Sequence, residues 1–509
     1  MKSVKSVVKV GLALGVLLVS VCTMAQIPPI DAPGQSNFQA QTHFLTFLGS
    51  YKPESPTSAA AYYKAIDPGS KKVTFQDWLV VNGFICQASD WNPTGPQTIT
   101  HVASDCGVGK IHADSHVIVL NAADLGFVRN QFIRCVPNCQ TKNAIVYTYL
   151  ENYPVGPFTT NGTNFGNPGG AAFPSQSEAD AAIASAITRP VGLLNGQKLD
   201  RIADVAFDWA PPQTNPTSSS RFGQLYAYIF HRDAANNITE TRNWPNDPAF
   251  LAGPNINGRA NFPPLFTVVA GDPFAPDLDG RGFKQMPGLC LICHGGKPTA
   301  LTNGVFPNNG NLNGFRFLPL DATNLFFASS GPLSRASQEP DMKKYNQAVL
   351  LTVDQSKEGD GTGAFRGPHL AEVIKGWYAG FAGDQNMTAP TQNEKFIPTG
   401  WVGHEDVYLN TVVTSCRSCH FNREISLDFG TYANFQQESD ILQLTLLPTC
   451  YPGEVDPNLR PMPAAHLTYL RYWSAQFDPN SNTPHQDLPG YIARSFGFSS
   501  TAGYCATGP

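Results

Sequence analysis

Residues 290 to 294 read CLICH, which places two cysteines three positions apart and a histidine directly after the second. This spacing suits covalent attachment of a haem, because the thiols of Cys290 and Cys293 can each add across one vinyl group of the porphyrin. The imidazole of His294, next in the chain, is then placed to bind the iron as its proximal ligand. The segment therefore predicts a c-type haem site.

The same pattern recurs as CRSCH, and we expect a second haem on Cys416 and Cys419 with His420 as its proximal ligand. A zinc ribbon is one alternative, but its cysteine pairs usually lie about 15 to 20 residues apart. Here about 120 residues separate the two pairs. A thioredoxin-like motif requires a βαβ pattern that neither pair has, and simple disulfides leave both histidines unexplained.

On these residues the chain resembles a di-haem c-type cytochrome. The likeness covers residues from about 285 to 475, where CLICHGG, CRSCH and RPMPAAHLTYLRYW resemble the haem-binding turn and methionine loop of class I cytochromes c. Upstream, NAADLGFVRNQF and RIADVAFDWA resemble, more weakly, large exported cytochromes that carry an extra amino-terminal domain of unassigned role. The resemblance implies two haem c groups with iron. The weaker upstream likeness implies no mechanism, and we single out no catalytic residue.

For the second haem, we predict Met462 as the distal axial ligand. It lies 42 residues after His420, a spacing and context similar to the family's methionine loop, and a thioether ligand raises the reduction potential. Pro461 and Pro463 flank it and stiffen the loop. Ordinary packing of Met462 is one alternative, and His466 is a rival ligand.

For the first haem, two residues are candidate distal ligands. Met342 lies 48 residues after His294, and His369 lies 75 residues after it. Met387 and His404 follow later in the chain. If none of these residues binds, the first iron keeps an open position and ligand chemistry becomes possible.

The first 25 residues have the layout of a secretory signal peptide, with three lysines, an apolar run and TMA before Gln26. A lipoprotein anchor at Cys22 is an alternative, although Val21 stands where that processing prefers a small residue. No later stretch has the roughly 18 apolar residues that a transmembrane segment needs. We therefore expect export to the periplasm or beyond.

About 484 residues remain after Gln26, which predicts at least two domains. We expect an α+β chain, with a mixed, strand-rich domain over 26–275 and a mainly α-helical di-haem cytochrome c-like domain over 276–509. The strands are predicted in HVIVLNAA, NAIVYTYLENY, RIADVAFDWA and FGQLYAYIFHRD, and one helix in SEADAAIASAITRP, capped by Ser177 and ended by Pro190.

Six further cysteines follow the signal peptide outside the two motifs. In an oxidising compartment they should pair, and sequence proximity favours the pairing of neighbours, with free buried thiols as the alternative. The expected pairs are Cys86 with Cys106, Cys135 with Cys139, and Cys450 with Cys505.

The segment HVASDCGVGKIHADSH gathers three histidines and two aspartates. They could form a metal site or donate a distal ligand, and a polar loop beside a disulfide is the alternative. The residues are His101, Asp105, His112, Asp114 and His116.

The expected function is electron transfer between exported redox proteins. The alternative is a di-haem oxidoreductase of the peroxidase type, with one open haem. Removal of the signal peptide's three lysines changes the formal net charge from -5 to -8. This charge disfavours nucleic acid as a partner and favours a redox protein with a basic docking face.

Overall fold

The computed structural model describes residues 56–154, 176–188, 201–242, 286–296, 300–353, 369–380, 387–422 and 428–437, except for 94, 125, 202, 233–237 and 313 inside these ranges. Several predicted features lie outside the described residues: the signal peptide, the boundary at about 275, Cys450, Met462, His466 and Cys505.

Two sheets are present in the described residues. A small parallel pair joins β1 (Thr98–Thr100) to β2 (Lys110–His112). The main sheet has seven antiparallel strands, and its strands, in chain order, are β3 (Ser115–Asn121), β4 (Phe127–Val136), β5 (Ile145–Pro154), β6 (Ala203–Ala210), β7 (Phe222–Arg232), β8 (Ile238–Thr241) and β9 (Leu325–Phe326). Their spatial order is β8-β7-β6-β5-β4-β3-β9.

Ten α-helical segments accompany the sheets in the described part of the chain. They are α1 (Pro56–Ile66), α2 (Phe75–Val81), α3 (Gln176–Thr188), α4 (Gly288–His294), α5 (Arg335–Leu350), α6 (Leu370–Trp377), α7 (Glu405–Val407), α8 (Val413–Ser415), α9 (Arg417–His420) and α10 (Tyr432–Gln437). A π-helical turn over Tyr408–Val412 joins α7 to α8.

The chain is of the mixed α+β class, as the sequence predicts. The four predicted strand segments become β3, β5, β6 and β7, and the predicted helix becomes α3. Ser177 lies inside α3 rather than at its cap, because the helix already begins at Gln176. No helix of the described residues is long and apolar enough to cross a membrane.

On one face of the main sheet, aromatic side chains of strands β4 and β5 pack against an aromatic side chain of helix α2. Phe132 of β4 and Tyr149 of β5 are register partners whose rings stack at 4.5 Å. Phe75 of α2 packs edge-on against Tyr149 at 5.2 Å. A capping box between Thr74 and Asp77 fixes the start of α2 and so its position on this face.

The opposite face receives the part of the chain that carries the two motifs. Because side chains alternate along a strand, Gln131 and Thr148 point away from the Phe132 face. The Gln131 amide donates to the hydroxyl of Tyr345 on α5, and that hydroxyl lies 3.4 Å from Oγ1 of Thr148. The sheet therefore forms the base for the motif-bearing segments.

Residues before position 275 and residues after it contribute to the same sheet and to the same buried cluster. Strand β9 follows the first motif in sequence, yet Leu325 and Phe326 pair with Asn121 and Leu120 of β3. One buried apolar cluster contains residues from both sides, among them Leu291. The motif-bearing segments are therefore packed on the sheet.

Two disulfides are formed in the described residues, Cys86–Cys106 and Cys135–Cys139. Both are pairs that the sequence predicts. Four further cysteines, all in the two motifs, are thiols.

Candidate functional site

The first motif is a single short helix. Helix α4 begins after Pro287 and ends at His294, and Gly295 follows with a φ of 73°. A Cβ at Gly295 would come 2.4 Å from the main-chain oxygen of Asn422, so only glycine fits this position. The glycine after CLICH therefore lets the second motif approach the first.

His294 is held in one tautomer by a main-chain acceptor. Its Nδ1 lies 2.9 Å from the carbonyl oxygen of Arg316, and since a carbonyl only accepts, Nδ1 carries the proton. The amide of Arg316 in turn donates to the His294 carbonyl at 3.0 Å. Burial lowers the pKa of His294 to about 4. The imidazole is neutral near pH 7, and its Nε2 keeps a lone pair for a metal.

Aromatic rings surround this imidazole. Phe207 of β6 lies 4.8 Å from the His294 ring and Phe315 lies 5.2 Å from it, measured between centroids. Phe315 itself lies against Gly223 of β7, where a Cβ would meet its ring at 1.9 Å. The sheet thus supplies an apolar wall beside the first motif.

The two residues between the cysteines of the second motif, Arg417 and Ser418, hold the motif in place. Arg417 makes a two-point ion pair with Asp321, with Nε 2.9 Å from Oδ2 and Nη2 2.7 Å from Oδ1. Both side chains are buried, and the guanidinium lies 5.0 Å from the centroid of the Trp377 ring. Ser418 accepts a hydrogen bond from Asn324 at 3.0 Å. These contacts fix the short helix α9.

His420 lies against an aromatic side chain, and Cys416 is enclosed. The His420 ring stacks on Phe429 with centroids 4.1 Å apart and planes 3° from parallel. Burial raises the pKa of the Cys416 thiol to about 12, so the side chain remains a neutral thiol near pH 7.

The two motifs meet directly. The side-chain amide of Asn422 donates to the carbonyl oxygen of His294 at 2.7 Å. Cys293 and Cys419 both line the cleft, and the neighbouring Cys419 thiol together with burial raises the pKa of Cys293 well above its usual range. The second cysteine of each motif is therefore adjacent to its counterpart.

Both motifs open onto one cleft above the sheet. Its empty space, including the part open to solvent, measures about 690 Å³. Strands, loops and helix α5 line it through Val119, Asn121, Ala123, Asp124, Arg129, Gln131, Thr148, Leu150, Phe207, residues 317–321, Asn324, Leu325 and Tyr345, and the motifs line it through Cys293, His294, Ser418 and Cys419. Inside it, Arg129 pairs with Asp124.

His369 lies beside the second motif. This side chain, expected to serve the first haem, is buried at the start of α6, with Nε2 3.6 Å from Oδ2 of Asp428. Its ring is 6.4 Å from that of Phe421, the residue after His420. Burial lowers its pKa to about 4. His369 therefore belongs to the surroundings of His420 in this structure.

The other candidate ligands are in different places. Met342 is fully buried in α5 and is not among the residues that line the cleft. Met387 is also buried. His404 is exposed and stacks on Tyr432 with centroids 3.4 Å apart.

Three of the five residues singled out between 101 and 116 have separate partners in the structure. Asp105 pairs with Lys110, and Asp114 accepts from the amide of Cys135 at 2.7 Å. His116 is hydrogen-bonded to Asn130. These contacts correspond to the polar-loop alternative.

The donor set fits covalent haem better than a single metal ion. Within the described residues, three or more closely spaced Cys, His, Asp or Glu ligand atoms occur in two groups, and the cysteines of both groups are in disulfides. Cys290, Cys293, Cys416 and Cys419 form no such group, although all are thiols. Of these four thiols, Cys293 and Cys419 line the cleft, and together with the Nε2 lone pair of His294 they are compatible with haem attachment.

Several residues of the site carry no sequence signal of their own. Arg129 and Gln131 appear as ordinary polar positions of β4, and Tyr345 as part of an unremarkable helix. Asp321 lies in a loop far from either motif in sequence. Only Asn422, two residues after His420, is close enough to a motif to be suspected.

Comparison with known proteins yields no relative for this chain. No protein-family model matches it, and no curated protein and no solved structure is significantly similar. The assignment of function therefore depends on the residues and their geometry.

Proposed function

We propose that this protein carries two covalently bound c-type haems, one on each Cys-x-x-Cys-His motif, and transfers electrons between exported partners. The observation that carries the proposal is the meeting of the motifs at one cleft, which Cys293 and Cys419 both line and beside which Asn422 is hydrogen-bonded to the His294 carbonyl. When bound, haem supplies one-electron chemistry at its iron.

The chain's own residues provide the setting for that chemistry. Arg316 fixes the His294 tautomer, and Phe207 and Phe315 pack against the imidazole. The ion pair of Arg417 and Asp321 holds the second motif over the same cleft. Because the attachment residues are neighbours, we expect the two redox centres to influence each other's potential.

We propose that residues 276–509 form the haem-binding part and that the strands of residues 26–275 support it. The contact of Phe207 with His294 and the pairing of β9 with β3 favour this arrangement. Export is supported by the two disulfides, which require an oxidising compartment. The negative net charge favours a redox partner with a basic face.

A potentiometric titration of the purified protein, followed by its absorption bands, tests the electron-transfer proposal. We expect two one-electron steps whose separation changes when the junction between the motifs is altered by Asn422→Ala. A protein with no reducible haem bands would contradict the proposal.

A second candidate function is a di-haem oxidoreductase of the peroxidase type. Among the described residues that line the cleft, His294 is the only imidazole and there is no thioether, an arrangement compatible with an open first iron. Peroxide consumption by the reduced protein separates the candidates. Turnover that continues with added electron donor supports catalysis, and its absence supports simple electron transfer.

A further inference from the structure

We infer that the Cys86–Cys106 disulfide is a site of thiol–disulfide exchange, opened by a dithiol, with His112 as the group that stabilises the departing sulfur. The inference goes beyond the proposed function and does not depend on it, because these three residues lie outside both haem-binding motifs. It assigns the partner by its chemistry, as a protein or small molecule that carries two neighbouring thiols.

The cysteines of this bridge lie at the surface, beside a buried imidazole. Cys86 and Cys106 are exposed, and Nε2 of the buried His112 lies 3.7 Å from Sγ of Cys86. A disulfide sulfur carries no hydrogen, so the imidazole is the donor in this contact, through Nε2–H. The sulfur is neutral in the closed bridge and negative after cleavage. A hydrogen bond to a charged acceptor is the stronger one, so His112 favours the cleaved state.

This hydrogen bond determines the direction of the exchange. One thiolate of the dithiol attacks Sγ of Cys106, and a new disulfide bond forms while the Cys106–Cys86 bond breaks. Cys86 leaves as a thiolate that accepts the hydrogen bond from His112. The second thiolate of the dithiol then displaces Cys106 and closes the reductant's own disulfide. The two protein thiolates take up the two protons that the dithiol released, so the protein disulfide is reduced and the dithiol is oxidised.

A lysine offsets the negative charge next to the attacked sulfur. Asp105, the residue before Cys106, carries a carboxylate that would repel an incoming thiolate, but it forms an ion pair with Lys110. Lys110 and His112 both lie on β2, two positions apart. One short strand therefore supplies the countercharge for the attack and the hydrogen-bond donor for the departing sulfur.

Main-chain hydrogen bonds allow the bridge to open without unfolding the segment that it closes. Strands β1 and β2 pair within this region, and the amide of Gly109 donates to the carbonyl oxygen of Asp90 at 2.8 Å. The amide of His112 donates to the carbonyl oxygen of Phe84, also at 2.8 Å. Since Phe84 lies two residues before Cys86, this bond keeps the imidazole beside the departing sulfur after cleavage.

The second disulfide is a control inside the same molecule. Cys135 and Cys139 are only 4% and 6% exposed, so a dithiol reaches them after local opening of the fold. Their neighbour is a carboxylate instead of an imidazole, because an oxygen of Asp114 lies within 4.8 Å of both sulfurs. A nearby negative charge disfavours a departing thiolate. This bridge should therefore resist exchange.

The experiment is exchange of the folded, full-length protein with dithiothreitol. Free thiols are first blocked with N-ethylmaleimide, and the thiols released over time are then trapped with iodoacetamide and located by peptide mass mapping. We expect the release of Cys86 and Cys106 to be at least about ten-fold faster than the release of Cys135 and Cys139.

Variants of His112 test its part in the exchange. His112→Phe keeps an aromatic ring and removes the donor, so it should slow the release of Cys86 and Cys106 by about two- to ten-fold, the rate equivalent of one hydrogen bond. His112→Gln keeps an N–H group and should slow the release less. His101→Phe, at an exposed position of the same segment, is the matched control and should leave the rate unchanged.

Three results would overturn the inference. The first is release of Cys135 and Cys139 at least as fast as that of Cys86 and Cys106, and the second is a folded protein from which dithiothreitol releases no thiol. The third is an equal rate in the unmodified protein, His112→Phe and His112→Gln. If His112→Phe does not fold, the comparison of His112→Gln with His101→Gln decides.

Discussion

Asn422 donates a hydrogen bond of 2.7 Å to the carbonyl oxygen of His294, so a residue just after the second motif holds the last residue of the first. The bond joins positions 128 residues apart in sequence. It satisfies the carbonyl at the last residue of the first motif's helix and joins the two attachment segments. The relation of the motifs, and not either motif alone, defines this site.

Removal of that bond should loosen the junction. Asn422→Ala removes one of the two donors to the His294 carbonyl, the other being the Arg316 amide. We expect the free energy of unfolding to fall by about 0.5 to 1.5 kcal/mol. Denaturant unfolding of the haem-loaded protein measures the change. Asn410→Ala, at an exposed position of the π-helical turn, is the control and should have no effect. Equal unfolding midpoints for both variants would show that the bond is dispensable.

The sequence prediction of Met462 as a ligand can be tested by spectroscopy. Met462→Ala should abolish the weak near-infrared sulfur-to-iron band of the oxidised protein and lower one reduction potential, because a thioether favours the reduced iron. Met342→Leu, a conservative change at a fully buried position of α5, should leave the band in place. Persistence of the band in Met462→Ala would assign Met462 to packing.

Much of the fold follows from local pattern. The alternating runs that become β3, β5, β6 and β7 show their strand character in a few residues, because burial on a sheet face repeats every second position. Helix α3 is equally visible. The two-residue strand β9 is not, since its pairing with β3 depends on a contact between distant segments.

The surroundings of the site are harder to predict from the sequence than the two motifs are. The pentapeptides mark the attachment residues, but the cleft is built by the sheet face that carries Arg129 and Gln131. Distance along the chain made His369 one of two candidates for the first haem, and in the fold its imidazole lies by Asp428 and Phe421. Tertiary packing determines such neighbours, and no local signal reports it.

A buried acidic group should make stability depend on pH. Glu240 of β8 is buried near Asp204, Glu151 and Arg201, with Arg201 Nη2 3.7 Å from its Oε2. Burial and the charge of Asp204 raise the pKa of Glu240 well above its usual range. The folded protein thus retains a proton that the unfolded chain loses.

The sign of the effect follows from that proton. The contribution of Glu240 to stability is complete below the unfolded pKa of about 4.3 and is lost as the pH rises toward the raised folded pKa. Glu240→Gln should therefore flatten the decline in denaturant midpoint between about pH 5 and about pH 8. The exposed Glu178→Gln should not change it. Parallel pH profiles for all three proteins would contradict this assignment.

The disulfides should contribute unequally to stability. Cys86 and Cys106 are 20 residues apart, whereas Cys135 and Cys139 are 4 apart. A longer loop restricts the unfolded chain more, so replacing Cys86 and Cys106 by Ala should cost about 3 kcal/mol. Replacing the other pair should cost less, and thermal or denaturant unfolding measures both. The reverse order would show that native-state packing dominates.

The central claim, that both motifs hold haem covalently, is tested most directly by the intact mass of the denatured protein isolated from the exported fraction. We predict a mass increase of two haem groups, falling to one in Cys290→Ala/Cys293→Ala and to one in Cys416→Ala/Cys419→Ala. A denatured chain with no haem attached, or with a haem number that neither double variant changes, would contradict the account.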